Sequence, residues 1–251
     1  MSQYDPNAPV WNAGVARAGT AAEIDQGLRS FMLGVYNHMI TGLALSGLVA
    51  LGTNILAGGS VKTLTPFGMM LYGSPLKWVV MLAPLAFILF FTFRIDKMSA
   101  SSARTMFYAF AATMGLSMSS ILMVYTSGSV VQMFFVTAAA FGGLSLYGYT
   151  TKKSLSAMGS FLIMGLIGII IASLANLYFQ SGMMTMVISS IGVLVFAGLT
   201  AWDTQRLKEI YLHSDMDAES ALKLSINGAL SLYLNFINMF QMLLSLFGQR
   251  E

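Results

Sequence analysis

The sequence predicts an all-α, polytopic integral membrane protein with seven transmembrane helices. Hydrophobic residues make up 56% of the 251 positions and charged residues only 9%, where a soluble domain carries about a quarter. Mean hydropathy is +0.72. Apolar runs recur at lengths that suit the ~20 residues needed to cross a ~30 Å hydrocarbon core at ~1.5 Å per residue. With so few charges the surface cannot be coated against water, so lipid must be part of the solvent. Seven such runs with their connections leave no room for a second domain. The alternating ten-residue segments of an outer-membrane barrel are not visible.

Residues 1–27 are polar and small and have no apolar core of the kind a signal peptide needs. They read as an N-terminal tail, with 28–251 as the seven-helix transmembrane domain. The first span is expected from about Leu28 to Leu56, followed by a loop containing Gly58, Gly59, Pro66 and Gly68. The second runs from about Leu76 to Phe93 and contains Pro84, where a missing helix hydrogen bond allows a kink. The third and fourth are expected near Ala103–Tyr125 and Val130–Tyr149, and the fifth near Ala157–Phe179. The sixth covers about Met183 to Trp202 and the seventh about Ala221 to Phe247. Small residues at helical spacing (Ala109, Thr113 and Ser117, or Gly142 and Gly143) would let helix backbones approach closely. The twenty methionines read as flexible packing.

Charge sets the expected orientation. Ten basic residues fall on one side: Arg17, Arg29, Arg94, Lys97, Arg104, Lys152, Lys153, Arg206, Lys208 and Lys223. Lys62, Lys77 and Arg250 fall on the other. The positive-inside rule then places the N-terminus in the cytoplasm and the C-terminus outside. The net charge of +3 suits loops that face anionic headgroups, and no nucleic-acid partner is expected. The absence of cysteine removes disulfides and thiolate metal sites.

Of the ten acidic residues only Asp203 sits at the end of an apolar run. Two arrangements are open for it: an interfacial pair with Arg206 one turn on, or a functional acid within the membrane. On the seventh span Asn227, Ser231, Asn235, Asn238, Gln241 and Ser245 fall within about 120° of one another at 100° per residue. Such a stripe is expected to face the bundle interior or a wet cavity, as a polar pathway or as a set of interhelical hydrogen bonds. His38, near the middle of the first span, could carry protons or simply bond a neighbouring helix.

No lysine lies deep in the last span for a Schiff base, and Ser145 is flanked by Leu144 and Leu146 rather than by the glycines of an intramembrane serine protease. The two histidines are far apart, and no phosphate-binding G-x-x-x-x-G-K loop is present. Nothing in the sequence argues for an enzyme or a resident cofactor.

The segment A-L-S-L-Y-L-N-F-I-N-M-F at 229–240 resembles the last-helix signature of the Bax-inhibitor family, A-L-x-L-Y-L-D-F-I-N-L-F. The segment A-W-D-T-Q-R-L-K at 201–208 resembles the family's Y-D-T-Q at the end of the sixth helix. The resemblance covers roughly residues 28–248, and the short connections look bacterial, which implies the inner membrane. It implies six helices wrapped around a central seventh, and a pH-dependent calcium leak. The family's switch is a pair of carboxylates on helices six and seven with a helix-two arginine as latch. Asp203 matches the first carboxylate and Arg94 the latch, whereas Asn235 stands where the family has its second carboxylate. Two close carboxylates titrate as a coupled pair, but a carboxylate and an amide do not. The expectation is therefore a weak calcium site at Asp203 and Asn235 with one proton-linked step. The alternative function is a membrane regulator without transport, which binds other membrane proteins such as a membrane-bound AAA protease.

Overall fold

The computed structural model describes residues 21–60, 63–94 and 97–250. Most of the expected N-terminal tail, with Arg17, lies outside these residues, as does Lys62. Among the described residues six helices are long and apolar enough to cross a membrane, and the bent pair Pro66–Gly73 and Leu76–Phe91 brings the number to seven if it is one crossing. The helices are α1 (Ala21–Ala57), α2 (Pro66–Gly68), α3 (Leu76–Arg94), α4 (Ala100–Met118), α5 (Ile121–Val124), α6 (Ser127–Thr150), α7 (Ser156–Phe179), α8 (Gly182–His213) and α9 (Ala218–Phe247). A π-helical turn, Met69–Gly73, continues α2.

Side-chain caps mark several helix starts. Ser99, Thr126, Ser181 and Asp217 each accept a hydrogen bond from the backbone N–H three residues on, supplying a partner that the first turn of a helix lacks. At the end of α7, Gln180 adopts a left-handed conformation (φ 50°) and turns the chain into α8 within two residues.

Several boundaries differ from the sequence reading: α8 runs to His213, past the expected end near Trp202, and the third expected span is interrupted between Met118 and Ile121. Helix α1 begins at Ala21, inside the stretch read as tail, because a helix need not stop at the membrane surface. Its first turns bury Leu28 and Phe31, and Phe31 stacks on Tyr211 at 4.6 Å between ring centroids. Helix α3 starts at Leu76 as expected and carries Pro84 inside it, and a bend of 64° at Ser74–Pro75 separates it from Pro66–Gly73. The loop read before this span is helical from Pro66. Pro66 opens α2, where its missing N–H is no loss, and Thr65 caps it by accepting from the Gly68 N–H.

Helix α9 is the most buried span. Its main neighbours are α1, α4, α6 and α8, while α3 leans on α4 and α7 on α8. The helix around which the others assemble is therefore the last one, inside a principal ring of four with two helices further out. Phe107 and Phe110 of α4 meet the Tyr233 ring edge-on, and Phe134 and Phe141 of α6 do the same with Phe236. Tyr233 is fully buried, and its hydroxyl is satisfied by Ser46 of α1 at 2.7 Å. Ser46 in turn donates to the Ala111 carbonyl of α4.

Glycine placement separates close helix contacts from open ones. A Cβ on Gly115 would collide with the Ser46 backbone, and one on Gly148 with the Ala201 carbonyl. These glycines let α4 approach α1 and α6 approach α8. Gly142 and Gly143, read from the sequence as packing residues, have open space where a Cβ would stand. They lie on α6 roughly one and a half turns before Gly148 and face away from the contact it makes.

Candidate functional site

The segment Asp203-Thr204-Gln205 lies inside α8, not at its end. Asp203 follows Gly182 by 21 residues, about 32 Å at ~1.5 Å per residue, and ten more helical residues follow it. The carboxylate is thus near one boundary of a ~30 Å core, on a helix that continues beyond. Each of the three residues reaches a different element. Asp203 Oδ2 accepts a hydrogen bond of 2.7 Å from Asn235 Nδ2 on α9. Thr204, fully buried, has its hydroxyl 3.0 Å from Ser145 Oγ on α6, and Ser145 is 2.6 Å from the Tyr36 hydroxyl on α1. Gln205 clamps the α6–α7 connection: its Oε1 accepts from the Leu155 N–H at 2.7 Å, and its Nε2 donates to the Lys153 carbonyl at 2.9 Å. One helical turn therefore ties α8 to α9, α6, α1 and a loop.

The pairing of Asp203 with Asn235 follows from antiparallel packing of α8 and α9. The same face of α9 meets α8 again further along, where Ser189 Oγ donates to Ser245 Oγ at 3.2 Å. Arg206 does not close an ion pair with Asp203 among the described residues. Its guanidinium lies over the Trp202 ring, 5.3 Å from the centroid, close enough for Arg206 to act on the carboxylate through space. Arg94 is exposed, and its guanidinium lies over Phe90 at 5.7 Å. It is not brought to Asp203 in this conformation.

The remaining polar residues of α9 are placed differently from the sequence expectation. Asn235 is 5% exposed, but Asn227 is exposed, and Ser231, Asn238 and Gln241 are half-buried. Asn238 donates to the Leu234 carbonyl of its own helix. The fully buried faces of α9 are apolar, with Ile226, Leu232, Met239 and Leu244 among them. A helix enclosed by four neighbours buries its apolar faces in the protein, so amphipathicity alone does not say which face is innermost. His38 is 2.8 Å from the Tyr108 hydroxyl through Nδ1, joining α1 to α4 away from Asp203. The residues that sequence reasoning passed over are Tyr36, Ser145, Thr204 and Gln205. Thr204 and Gln205 were visible as part of the Asp-Thr-Gln segment, while Tyr36 and Ser145 had no local signal.

Among the described residues no group of three His, Cys, Asp or Glu could hold a metal ion. Asn235 turns its amide N–H to one carboxylate oxygen of Asp203. Calcium takes 6–8 oxygens, only part of which these two side chains could supply.

A helical bundle built around a buried last helix, with the Asp203 carboxylate of α8 bonded to it, defines a multi-pass membrane protein. Residues 28–251 match the family model described as inhibitor of apoptosis-promoting Bax1, and the chain belongs to that family. It is 42% identical over 237 residues to the inner membrane protein YbhL of Escherichia coli (strain K12), covering 94% of this chain and 98% of YbhL. It is 44% identical over 243 residues to an uncharacterized protein of Caulobacter vibrioides, covering 95% and 97%. An uncharacterized membrane protein of Streptococcus pyogenes is 32% identical over 228 residues, covering 90% and 96%.

Proposed function

We propose that this chain is a pH-dependent cation leak, with calcium as the ion, controlled where Asp203 of α8 meets Asn235 of α9. The hydrogen bond between these two side chains is the observation that carries the reading. It joins Asp203, which follows the apolar run of α8, to the central helix. Ionised, Asp203 supplies a charge that draws a cation and a charge-assisted acceptor that holds Asn235. Protonated, it loses the charge and the bond weakens to a neutral one, roughly half as strong. A single group gives a single proton-linked step. Calcium is the cargo of this pathway, and its affinity is weak because one formal charge stands where two carboxylates would supply two. The orientation that goes with this reading has the N-terminus and the basic ends of the helices in the cytoplasm.

The test is calcium entry into dye-loaded proteoliposomes across a pH series, with Asp203→Asn expected to abolish the pH response. A second reading is favoured by the apolar packing around α9, which includes Ile226, Leu232 and Met239. In that reading the protein conducts nothing and regulates other membrane proteins, such as a membrane-bound AAA protease. Liposomes that stay calcium-tight for every variant would select it.

A further inference from the structure

One well-formed concavity does not involve Asp203. It is a groove of about 1000 Å³ between α1 and α6, with Phe236 of α9 at its floor. The two helices barely touch each other directly. The bond from the Tyr36 hydroxyl to Ser145 Oγ crosses between them. Small residues keep the groove open: Ala44 and Gly47 on one wall, Ala138 and Gly142 on the other. A Cβ on Gly47 or Gly142 would meet nothing, so these positions are not there to seat a neighbouring helix.

Along α1 the lining runs from Arg29 to Leu51, 22 residues or about 33 Å, close to the ~30 Å hydrocarbon thickness. The lining is almost wholly apolar over that length. Charge appears at one end alone, where Arg29 is exposed and makes no ion pair among the described residues. Tyr149 closes the same end, and Lys208 lies against it, donating to its carbonyl at 2.7 Å with the ammonium 5.7 Å from its ring. An apolar channel capped by cations is complementary to an acidic headgroup with a hydrocarbon chain.

We propose that this groove is a binding site for an anionic phospholipid, with an acyl chain between α1 and α6 and the phosphate at Arg29. Lateral opening to the bilayer gives the chain its entry. Arg29 gives the preference for negative headgroups, because a guanidinium binds phosphate through paired hydrogen bonds.

The experiment uses the full chain in lipid nanodiscs doped with phosphatidylglycerol or phosphatidylcholine bearing the same diazirine-labelled acyl chain. After photolysis, labelled peptides are mapped by mass spectrometry. The expected result is labelling of residues 44–48 and 138–142 several-fold above the exposed face of α7 around Phe161 and Ile167. Phosphatidylglycerol should label the groove several-fold more than phosphatidylcholine. Gly142→Leu, placed in open space, should remove groove labelling while leaving α7 labelling and the melting temperature unchanged. Arg29→Gln should bring the two lipids to equal labelling. Groove labelling equal to that of α7 and indifferent to Gly142→Leu overturns the proposal. Equal labelling by the two lipids in the unmodified protein overturns the anionic preference.

Discussion

Asn235 Nδ2 donates to Asp203 Oδ2 at 2.7 Å, so the amide at the second position of the family's carboxylate pair is in direct contact with the first. The charged neighbour that acts on this carboxylate is Arg206, one turn along α8, while Arg94 lies on Phe90. Arg206→Ala should therefore move the pH midpoint of any Asp203-linked flux, and Arg94→Ala should leave it in place. The measurement is flux against pH for both variants. A shift with Arg94→Ala alone would mean that Arg94 leaves Phe90 to latch Asp203.

Gln205 holds the buried Leu155 N–H and the Lys153 carbonyl. Gln205→Ala leaves a buried donor without a partner, a loss of about 1–3 kcal/mol. The expected outcome is a lower melting temperature in detergent and faster tryptic cleavage after Lys152 and Lys153. Unchanged cleavage would show that the connection holds itself.

Gly115→Ala and Gly148→Ala force a methyl group into the Ser46 backbone and the Ala201 carbonyl. Each should destabilise by about 1–3 kcal/mol, as overpacking does. Gly142→Ala, in open space, should stay within about 0.5 kcal/mol. Thermal unfolding of the three variants side by side checks this, and equal losses at all three would contradict the helix contacts described here.

The spans were legible because bilayer thickness imposes a length on every apolar run, and Leu76, Ser127 or Gly182 fall within a few residues of the expected starts. The bend at Ser74–Pro75 was not, because Pro66 and Gly68 made the stretch before Leu76 read as a loop. Asp203 and Asn235 stood out as polar groups in apolar context. Tyr36 and Ser145 did not, because hydroxyls are common in membrane helices and their meeting depends on how α1 crosses α6. Gly142 and Gly148 look alike in the sequence, yet they face different directions on one helix, toward a groove and toward α8.

Ten basic residues against three predict that a C-terminal reporter is active only outside the cytoplasm. Fusions of alkaline phosphatase and of a fluorescent protein after Glu251 give opposite answers for the two orientations. Cytoplasmic fluorescence would contradict a seven-span path in which Pro66–Gly73 and Leu76–Phe91 form one bent crossing.

The most direct test of the proposed function is calcium flux into dye-loaded proteoliposomes over a pH series with the unmodified protein, Asp203→Asn and Asn235→Asp. The account predicts a leak with one pH-dependent step in the unmodified protein and no such step in Asp203→Asn. It predicts tighter calcium binding near neutral pH with a second step in Asn235→Asp, because two facing carboxylates titrate as a coupled pair. Tight calcium binding in the unmodified protein that Asn235→Asp leaves unchanged, or no flux from any of the three at any pH, would contradict it.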